Sequence, residues 1–243
     1  MQFMCFIFCA VVFLFPVSGA QAEDSATYIE AKVALKKNEF EKAYALFRNL
    51  AEAGDAKAQA QLGHLYHGGR GIASDWTAAA AWYRKAADQG NAFGQFQLGQ
   101  MYESGRGDWG VNIGKGLDQD LKSAFEWFEK AGQQGMPAAN AKLGLAYLNG
   151  QAAPQDYMKA YIHISAAVRC YGKPANYSPG MVEVQRQLLA DIRPKLTREQ
   201  KKQIARSDAF IDNIEKTHKS SSPAAQKAIG LEDGFCGYPQ RWE

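Results

Sequence analysis

The chain has 243 residues, 47% of them apolar, and a formal net charge of +3 at pH 7. This charge is too small for the concentrated basic surface of a typical nucleic-acid-binding protein, so we expect no nucleic acid partner. Charged residues at 22% and aromatic residues at 12% exclude a wholly disordered chain, and four Cys are too few for a disulfide scaffold.

Residues 1–22 have the pattern of a cleaved export signal. They contain no Asp, Glu, Lys or Arg, and their apolar run of about fourteen residues is too short to span a bilayer as a helix. Small residues follow Pro16 and end in Ala20-Gln21-Ala22, which indicates cleavage after Ala22. The positively charged start of such a signal is missing, so an uncleaved membrane anchor stays open. We expect a signal peptide and an exported, periplasmic or secreted chain without a transmembrane span.

The middle of the chain repeats. The Leu-Gly pair at 62–63 recurs at 98–99 and at 143–144, which is 36 and then 45 residues further on. Tyr, Gly, Ala and Asp residues recur with the same two steps, and the longer step equals the shorter one plus an insert of nine. So many coincidences at one period predict an array of stacked structural units.

Each unit is predicted to be a pair of helices. Apolar residues at helical spacing in 56–69 predict a first helix, which glycines then end. Asp75 is a suitable N-cap for the second helix, and Gly90 ends it. The buried stripe of that second helix comprises Ala79, Trp82, Tyr83 and Ala86. No segment alternates apolar and polar residues over the length of a strand, so we predict no sheet.

Gly63, Gly99 and Gly144 lie inside predicted helices, where each glycine costs about 1 kcal/mol relative to Ala. Equivalent costs in three units need a common cause, and the simplest is close approach of the partner helix. We expect that helix, including Trp82 or Trp127, to pack against the glycine backbone.

One unit shows every repeated position. It has Ala58, Leu62, Gly63, Tyr66, Gly69, Gly71, Asp75, Ala79, Trp82, Lys85, Ala86, Ala87 and Gly90. This pattern resembles the Sel-one-like repeat (SLR) family of the tetratricopeptide-like superfamily, in its exported bacterial form. The resemblance implies an all-α fold: an α-solenoid of stacked antiparallel helix hairpins, wound as a right-handed superhelix, with C-terminal capping helices.

The repeats and their flanks divide the chain into segments. They are a signal peptide at 1–22, a divergent tetratricopeptide-like hairpin at 27–54, SLR repeats at 55–90 and 91–135, a degraded repeat at 136–172, capping helices at 178–218 and a tail at 219–243. The insert of nine residues lengthens the loop of the repeat at 91–135. Thr197 and Gln200 fit a capping box at the start of the last helix. In the degraded repeat His163 replaces the Trp, and we expect it to be buried.

First helices line the concave groove of stacked hairpins, so their outward side chains are the candidate binding residues. They are Lys57, His64, His67, Phe93, Phe96, Gln100, Glu103 and Leu145. Phe93 and Phe96 are suited to anchor a peptide or a partner helix. The alternative, at least as strong for Phe96, is packing between neighbouring first helices.

His64, His67 and Glu103 are three residue types that bind metals, and the repeat register could bring them together. They form no fixed motif, however. We expect a polar groove surface there, with no metal and no cofactor.

Trp109, in the inserted loop, is a further binding candidate, and a loop that folds over the edge of the solenoid is the alternative. In an oxidising compartment, Cys170 and Cys236 could form a disulfide, and two unrelated thiols are the alternative.

The sequence favours a binding module over an enzyme, because it contains neither G-x-S-x-G nor H-E-x-x-H. We predict a non-enzymatic protein- or peptide-binding module, or a scaffold, of the bacterial cell envelope that binds its partner through the concave groove. The SLR resemblance implies an alternative. Some exported members of the family are linked to cell-wall peptide or β-lactam binding, so a peptidoglycan- or β-lactam-related ligand, or weak hydrolase activity, stays open.

Overall fold

The computed structural model describes residues 25–105, 119–171 and 179–206. Within these ranges the chain is helical and has no strand, which confirms the predicted all-α class. The helices are α1 (Ala26–Lys36), α2 (Phe40–Glu52), α3 (Ala56–Gly68), α4 (Trp76–Asp88), α5 (Ala92–Ser104), α6 (Leu121–Gln133), α7 (Pro137–Asn149), α8 (Tyr157–Tyr171) and α9 (Pro179–Ile192). A 3-10 turn at Arg193–Lys195 and helix α10, described over 198–206, follow.

The helices form consecutive antiparallel hairpins. Each helix from α1 to α8 packs against the next one in the chain, and α3 also contacts α5, so the first helices of adjacent hairpins touch. This is the arrangement of an α-solenoid. None of the helices in the described ranges is long and apolar enough to cross a membrane. The predicted signal peptide at 1–22 and tail at 219–243 lie outside the described residues.

Side-chain caps and glycines set the helix ends. The carboxylate of Asp75 accepts a hydrogen bond from the Ala78 N–H at 2.9 Å and so caps α4. Helices α3, α5 and α7 each end at a glycine in the left-handed conformation. These glycines are Gly69, Gly105 and Gly150, with φ of 62°, 61° and 68°. Residues with a side chain seldom adopt this conformation, which explains the glycine at three equivalent positions.

One backbone hydrogen bond closes each long hairpin loop. The Asp75 N–H donates to the carbonyl of Tyr66 at 3.0 Å. The same bond recurs from Asp120 to Tyr102 and from Asp156 to Tyr147, at 2.9 Å each. The capping Asp is therefore held beside the repeated Tyr of the first helix, and successive hairpins share one geometry.

The glycines inside the first helices mark close contacts within each hairpin. A Cβ added to Gly63 would lie 2.8 Å from Tyr83 Cδ1, and one added to Gly99 would lie 2.7 Å from Phe128 Cε1. The predicted close approach is confirmed. The expected partner side chain was wrong, because Tyr83 and Phe128 face the glycines and the preceding residue, Trp82 or Trp127, does not.

The physical reason for this difference is the rotation of about 100° between adjacent residues of a helix, which lets only one of two neighbours face the glycine. Trp82 instead packs against the core cluster of α1 to α3, with Lys85 Nζ 4.0 Å from its ring centroid. Trp127 is 8% exposed and lies in the next core cluster, with Lys130 Nζ at 3.8 Å from its ring.

A capping box starts α10 at the C-terminal end of the array. The Thr197 N–H donates to Gln200 Oε1 at 2.9 Å, and the Gln200 N–H donates to Thr197 Oγ1 at 3.2 Å. This reciprocal pair confirms the predicted box. Just before it, Ile192 and Leu196 are buried in one cluster with Ile164 of α8, so this segment covers the last hairpin.

Candidate functional site

Three of the predicted groove residues meet in one group of aromatic rings between α3 and α5. The His64 ring centroid lies 6.5 Å from that of His67 and 6.1 Å from that of Phe93. The His67 ring also lies 4.1 Å from Trp76 and 6.4 Å from Tyr83. All these pairs have the edge-to-face geometry that aromatic rings prefer. We call these five residues the aromatic cluster.

Trp76 and Tyr83 of this cluster were not predicted as site residues. Tyr83 is fully buried and accepts a hydrogen bond from Gln97 at 3.3 Å, and Trp76 is the first residue of α4. A signal for Trp76 was present in the sequence. In an antiparallel hairpin the start of the second helix lies beside the end of the first, and His67 is near the end of α3.

Both histidines of the cluster are neutral at pH 7. Burial is the main cause that lowers the pKa of His64 from 6.5 to about 4, with smaller electrostatic contributions from Arg70 and His67. Burial also lowers the pKa of His67. The aromatic cluster therefore presents an uncharged surface.

A small cleft lies in the following repeat. Its lining includes Glu103 of α5, Leu121 and Phe128 of α6, and Lys142 and Leu145 of α7. We call it the α5–α7 cleft. Its volume is about 40 Å³, far below the roughly 300–1,000 Å³ typical of small-molecule sites. It therefore suits a single side chain better than a cofactor.

The α5–α7 cleft and the aromatic cluster occupy equivalent places in adjacent repeats. Only Tyr83 of the five rings has an aromatic counterpart, Phe128. The other four rings, of His64, His67, Trp76 and Phe93, correspond to Gln100, Glu103, Leu121 and Ala138. The loss of rings agrees with a cleft whose lining includes Glu103, Leu121 and Phe128.

Glu103 and Lys142 form an ion pair at the cleft. Lys142 Nζ donates to Glu103 Oε2 at 2.6 Å, and both side chains are about one-third exposed. The structure therefore brings Glu103 together with Lys142 and not with the two histidines. No group of three His, Cys, Asp or Glu residues in the described ranges is placed to hold a metal ion.

The other candidates lie apart from these two features. Lys57 is exposed near the start of α3, and Gln100 is half-buried on α5. The ring of Phe96 packs against Phe128 at 5.7 Å, within a core cluster of α6 and α7. This ring contact of Phe96 is with the second helix of its own hairpin, whereas the alternative from the sequence was packing between neighbouring first helices.

Trp109 and Cys236 lie outside the described residues. Cys170 lies in the last turn of α8, and its side chain is also outside the description. The binding role of Trp109 and the Cys170–Cys236 disulfide therefore stay predictions.

A family model of the Sel1 repeat matches four consecutive ranges, 33–55, 56–91, 92–136 and 137–170. Together these ranges include more than half of the chain. The chain belongs to the Sel1 repeat family. Sel1 repeat proteins generally serve as scaffolds for protein interactions.

Two solved structures with similar folds support this assignment. A Sel1 repeat protein from Oxalobacter formigenes is 27% identical with a TM-score of 0.54, and the match covers 60% of this chain and 54% of that one. The protein c5321, a protective antigen of uropathogenic Escherichia coli strains with an SLR fold, is 30% identical with a TM-score of 0.58. This match covers 73% of this chain and 35% of that one. This chain thus spans about half the length of the first protein and a third of the second. The comparison with curated proteins found no match.

A buried amide side chain ties each first helix of the Sel1 repeats to the preceding repeat. The amide nitrogens of Gln59, Gln95 and Asn140 donate to the carbonyls of Ala51, Ala87 and Gly132 at 3.1, 3.3 and 3.2 Å. Sequence reasoning missed these residues, although they recur with the same steps of 36 and 45 as the glycines. We call them the amide ladder.

Each amide of the ladder also bonds to a side chain in the second helix of its own repeat or at the C-terminal end of that helix. Gln89 donates to Gln59 Oε1 at 2.7 Å, and Gln134 donates to Gln95 Oε1 at 2.8 Å. In the degraded repeat, His163 Nδ1 lies 2.9 Å from Asn140 Oδ1. The Asn140 nitrogen already donates to two carbonyls, so its oxygen accepts and His163 Nδ1 is the donor. His163 is half-buried and stacks on Tyr147 at 5.6 Å.

Charge is unevenly divided between first and second helices of the Sel1 repeats. Helices α3, α5 and α7 carry one Lys, Arg, Asp or Glu each, namely Lys57, Glu103 and Lys142. Helices α4, α6 and α8 together carry nine. Since Glu103 and Lys142 neutralise each other, the first-helix side is nearly uncharged. Depletion of charged residues is a feature of the central part of protein interfaces.

Proposed function

We propose that this protein is a non-enzymatic binding module or scaffold of the bacterial cell envelope that engages a protein or peptide along α3, α5 and α7. The observation that carries this proposal is the nearly uncharged side formed by these first helices. It combines a half-buried aromatic cluster with an adjoining cleft, which is the mixture of aromatic anchors and few charges found in interface centres. We call this side the first-helix face.

Envelope localisation is supported by the uncharged, apolar segment at 1–22 and its Ala-Gln-Ala ending. The similar c5321 protein is a protective antigen of uropathogenic bacteria, which agrees with an exported chain. Expression of the full chain in a bacterial host, followed by fractionation and mass spectrometry, tests this part. We expect a periplasmic or secreted product that begins at Glu23, and a cytoplasmic product that retains Met1 would contradict export.

Crosslinked capture of partners from the envelope fraction tests binding by the first-helix face. The variant His64→Gln with His67→Glu introduces Gln100 and Glu103, the residues that the next repeat has at these positions, so we expect it to fold. It should retain less than about one-tenth of the captured partner, because it removes two rings from the cluster.

The matched control is Glu126→Gln on the exposed side of the second helix α6, which should leave capture unchanged. Circular dichroism on all three proteins establishes that they are folded. Equal capture by the wild type and the double variant would move the binding surface away from the first-helix face.

A further inference from the structure

We propose that the α5–α7 cleft receives one short aliphatic side chain of a bound peptide, while the Glu103–Lys142 pair holds the adjacent uncharged peptide bond. The inference rests on the proposed function and names the part of the partner that the first-helix face recognises. It commits to a neutral peptide segment with Val, Leu or a residue of similar size as its anchor.

The size of the anchor follows from the volume of the cleft. The cleft measures about 40 Å³, and a single water needs about 10–15 Å³ of cavity volume. The cleft is therefore small, and a short aliphatic side chain such as that of Val or Leu is the anchor that suits it best. The ring of Phe or Trp is larger, and we expect it to fit less well.

The chemistry of the anchor follows from the lining. Phe125, Phe128 and Leu145 provide apolar walls from two neighbouring helices, and Leu121 at the edge is 39% exposed. An aliphatic side chain in the cleft would remove this apolar surface from water. The polar groups of Glu103, Lys142 and Gln151 form the rest of the lining, and we assign them to the peptide backbone beside the anchor.

The Glu103–Lys142 ion pair indicates the chemistry of the ligand backbone that lies beside the anchor side chain. The bond between Lys142 Nζ and Glu103 Oε2 uses one of the three donors of Lys142 and one of the two oxygens of Glu103. The pair is neutral as a whole and presents both a donor and an acceptor, which complements a peptide C=O and N–H. A carboxylate on the ligand would compete with Glu103, and an ammonium group would compete with Lys142, so charged neighbours are disfavoured.

The probes for a direct test are N-acetylated, C-terminally methylamidated single amino acids, each of which contains two peptide bonds and one side chain. We expect the Leu and Val probes, added at millimolar concentration to the full chain, to shift the amide NMR signals of Leu121, Lys142 and Leu145. The Trp and Asp probes should shift these signals at least about fivefold less at the same concentration, because of ring size and charge.

The decisive variant is Leu121→Trp, which places in the cleft the residue that the preceding repeat has at the start of α4. We expect it to fold, because Trp76 occupies that position in the same chain, and to abolish the shifts caused by the Leu probe. Tyr157→Trp is the matched control, since it introduces the same residue at the equivalent position, the start of α8, and should leave the shifts intact.

Shifts of equal size in the Leu121→Trp variant, or no shifts with the Leu and Val probes, would overturn the proposal. Deletion of residues 106–118 tests whether this segment of the chain itself blocks the cleft. If the probes bind only after this deletion, the chain covers its own cleft and the proposal fails. If Leu121→Trp captures the partner normally while the His64→Gln, His67→Glu variant does not, the proposed function holds and this subsite does not.

Discussion

Single residues of this chain take their chemistry from burial as much as from their type. His64 and His67 would titrate near pH 6.5 in water, but both are neutral parts of an aromatic cluster at pH 7. Burial and a hydrogen bond to Tyr44 raise the pKa of Tyr66 to about 12, so its hydroxyl also stays uncharged. The sequence predicted the positions of these groups, and their surroundings determine their protonation states.

The lowered pKa of His64 predicts a pH dependence of stability. As the pH falls below 6.5 the unfolded chain takes up a proton at this residue, while the folded chain does so only near pH 4. The free energy of unfolding should therefore decrease by about 2 kcal/mol between pH 7 and pH 5 because of His64 alone. Urea unfolding of His64→Gln should show a dependence that is weaker by this amount. Parallel curves for wild type and variant would contradict the burial of the imidazole.

Gly99 is predicted to be intolerant of even one methyl group. The added Cβ of Gly99→Ala would lie 2.7 Å from Phe128 Cε1, so the hairpin must open, and we expect a loss of about 1–3 kcal/mol. Gly180→Ala is the control, because the Cβ at this helical position of α9 would meet nothing within 4 Å. It should stabilise the protein by up to about 1 kcal/mol. Thermal unfolding measures both, and a stabilising Gly99→Ala would refute the close-contact explanation.

At the scale of helices, the amide ladder and the glycines play complementary parts. The glycines let the two helices of one hairpin approach, and the ladder joins each first helix to the end of the preceding second helix. Buried amides contribute when all their hydrogen bonds are made, and they also specify which atoms must face each other. The ladder therefore sets how one repeat sits on the next.

Gln95→Leu tests the ladder. The change removes the bonds to the Ala87 carbonyl and from Gln134 at a site that is 5% exposed, and we expect a loss of about 1–2 kcal/mol. Gln133→Leu at an exposed position of α6 is the matched control and should change stability by less than about 0.5 kcal/mol. Denaturant unfolding gives both values. Similar effects of the two substitutions would mean that the buried amide contributes no more than a surface one.

At the scale of the whole molecule, the described part of the protein is an array of repeats that do not share one hydrophobic core. Its core consists of separate clusters along the chain, and helices contact mainly their neighbours in sequence. Stability in such an array is approximately the sum of local units and of the interfaces between neighbours. The aromatic cluster and the α5–α7 cleft consequently belong to two different repeats that share α5.

This architecture predicts that a destabilising substitution in one repeat has little effect on the stability of distant repeats. In Gly144→Ala the added Cβ would lie within van der Waals overlap of Ile164, between α7 and α8. Hydrogen exchange should accelerate by about tenfold or more in α7, α8 and α9, and change by less than about twofold in α1 and α2. Equal acceleration in all helices would show that the protein unfolds as one cooperative unit.

The sequence by itself determined the features that depend on local order along the chain. The period of the repeat, the helix pairs, the Asp caps and the left-handed glycines all follow from residue type and spacing, because helix geometry and capping involve residues a few positions apart. The same period implied a close contact at Gly63 and Gly99.

Only the tertiary structure decided which side chains from separate helices meet. It placed Tyr83 and Phe128 over the glycines in place of Trp82 and Trp127, and it paired Glu103 with Lys142. These outcomes depend on how each helix is rotated and on the volumes of its neighbours, which no local pattern records. For the same reason, one repeat is filled by aromatic rings, while the next, with Leu121 in the place of Trp76, is open.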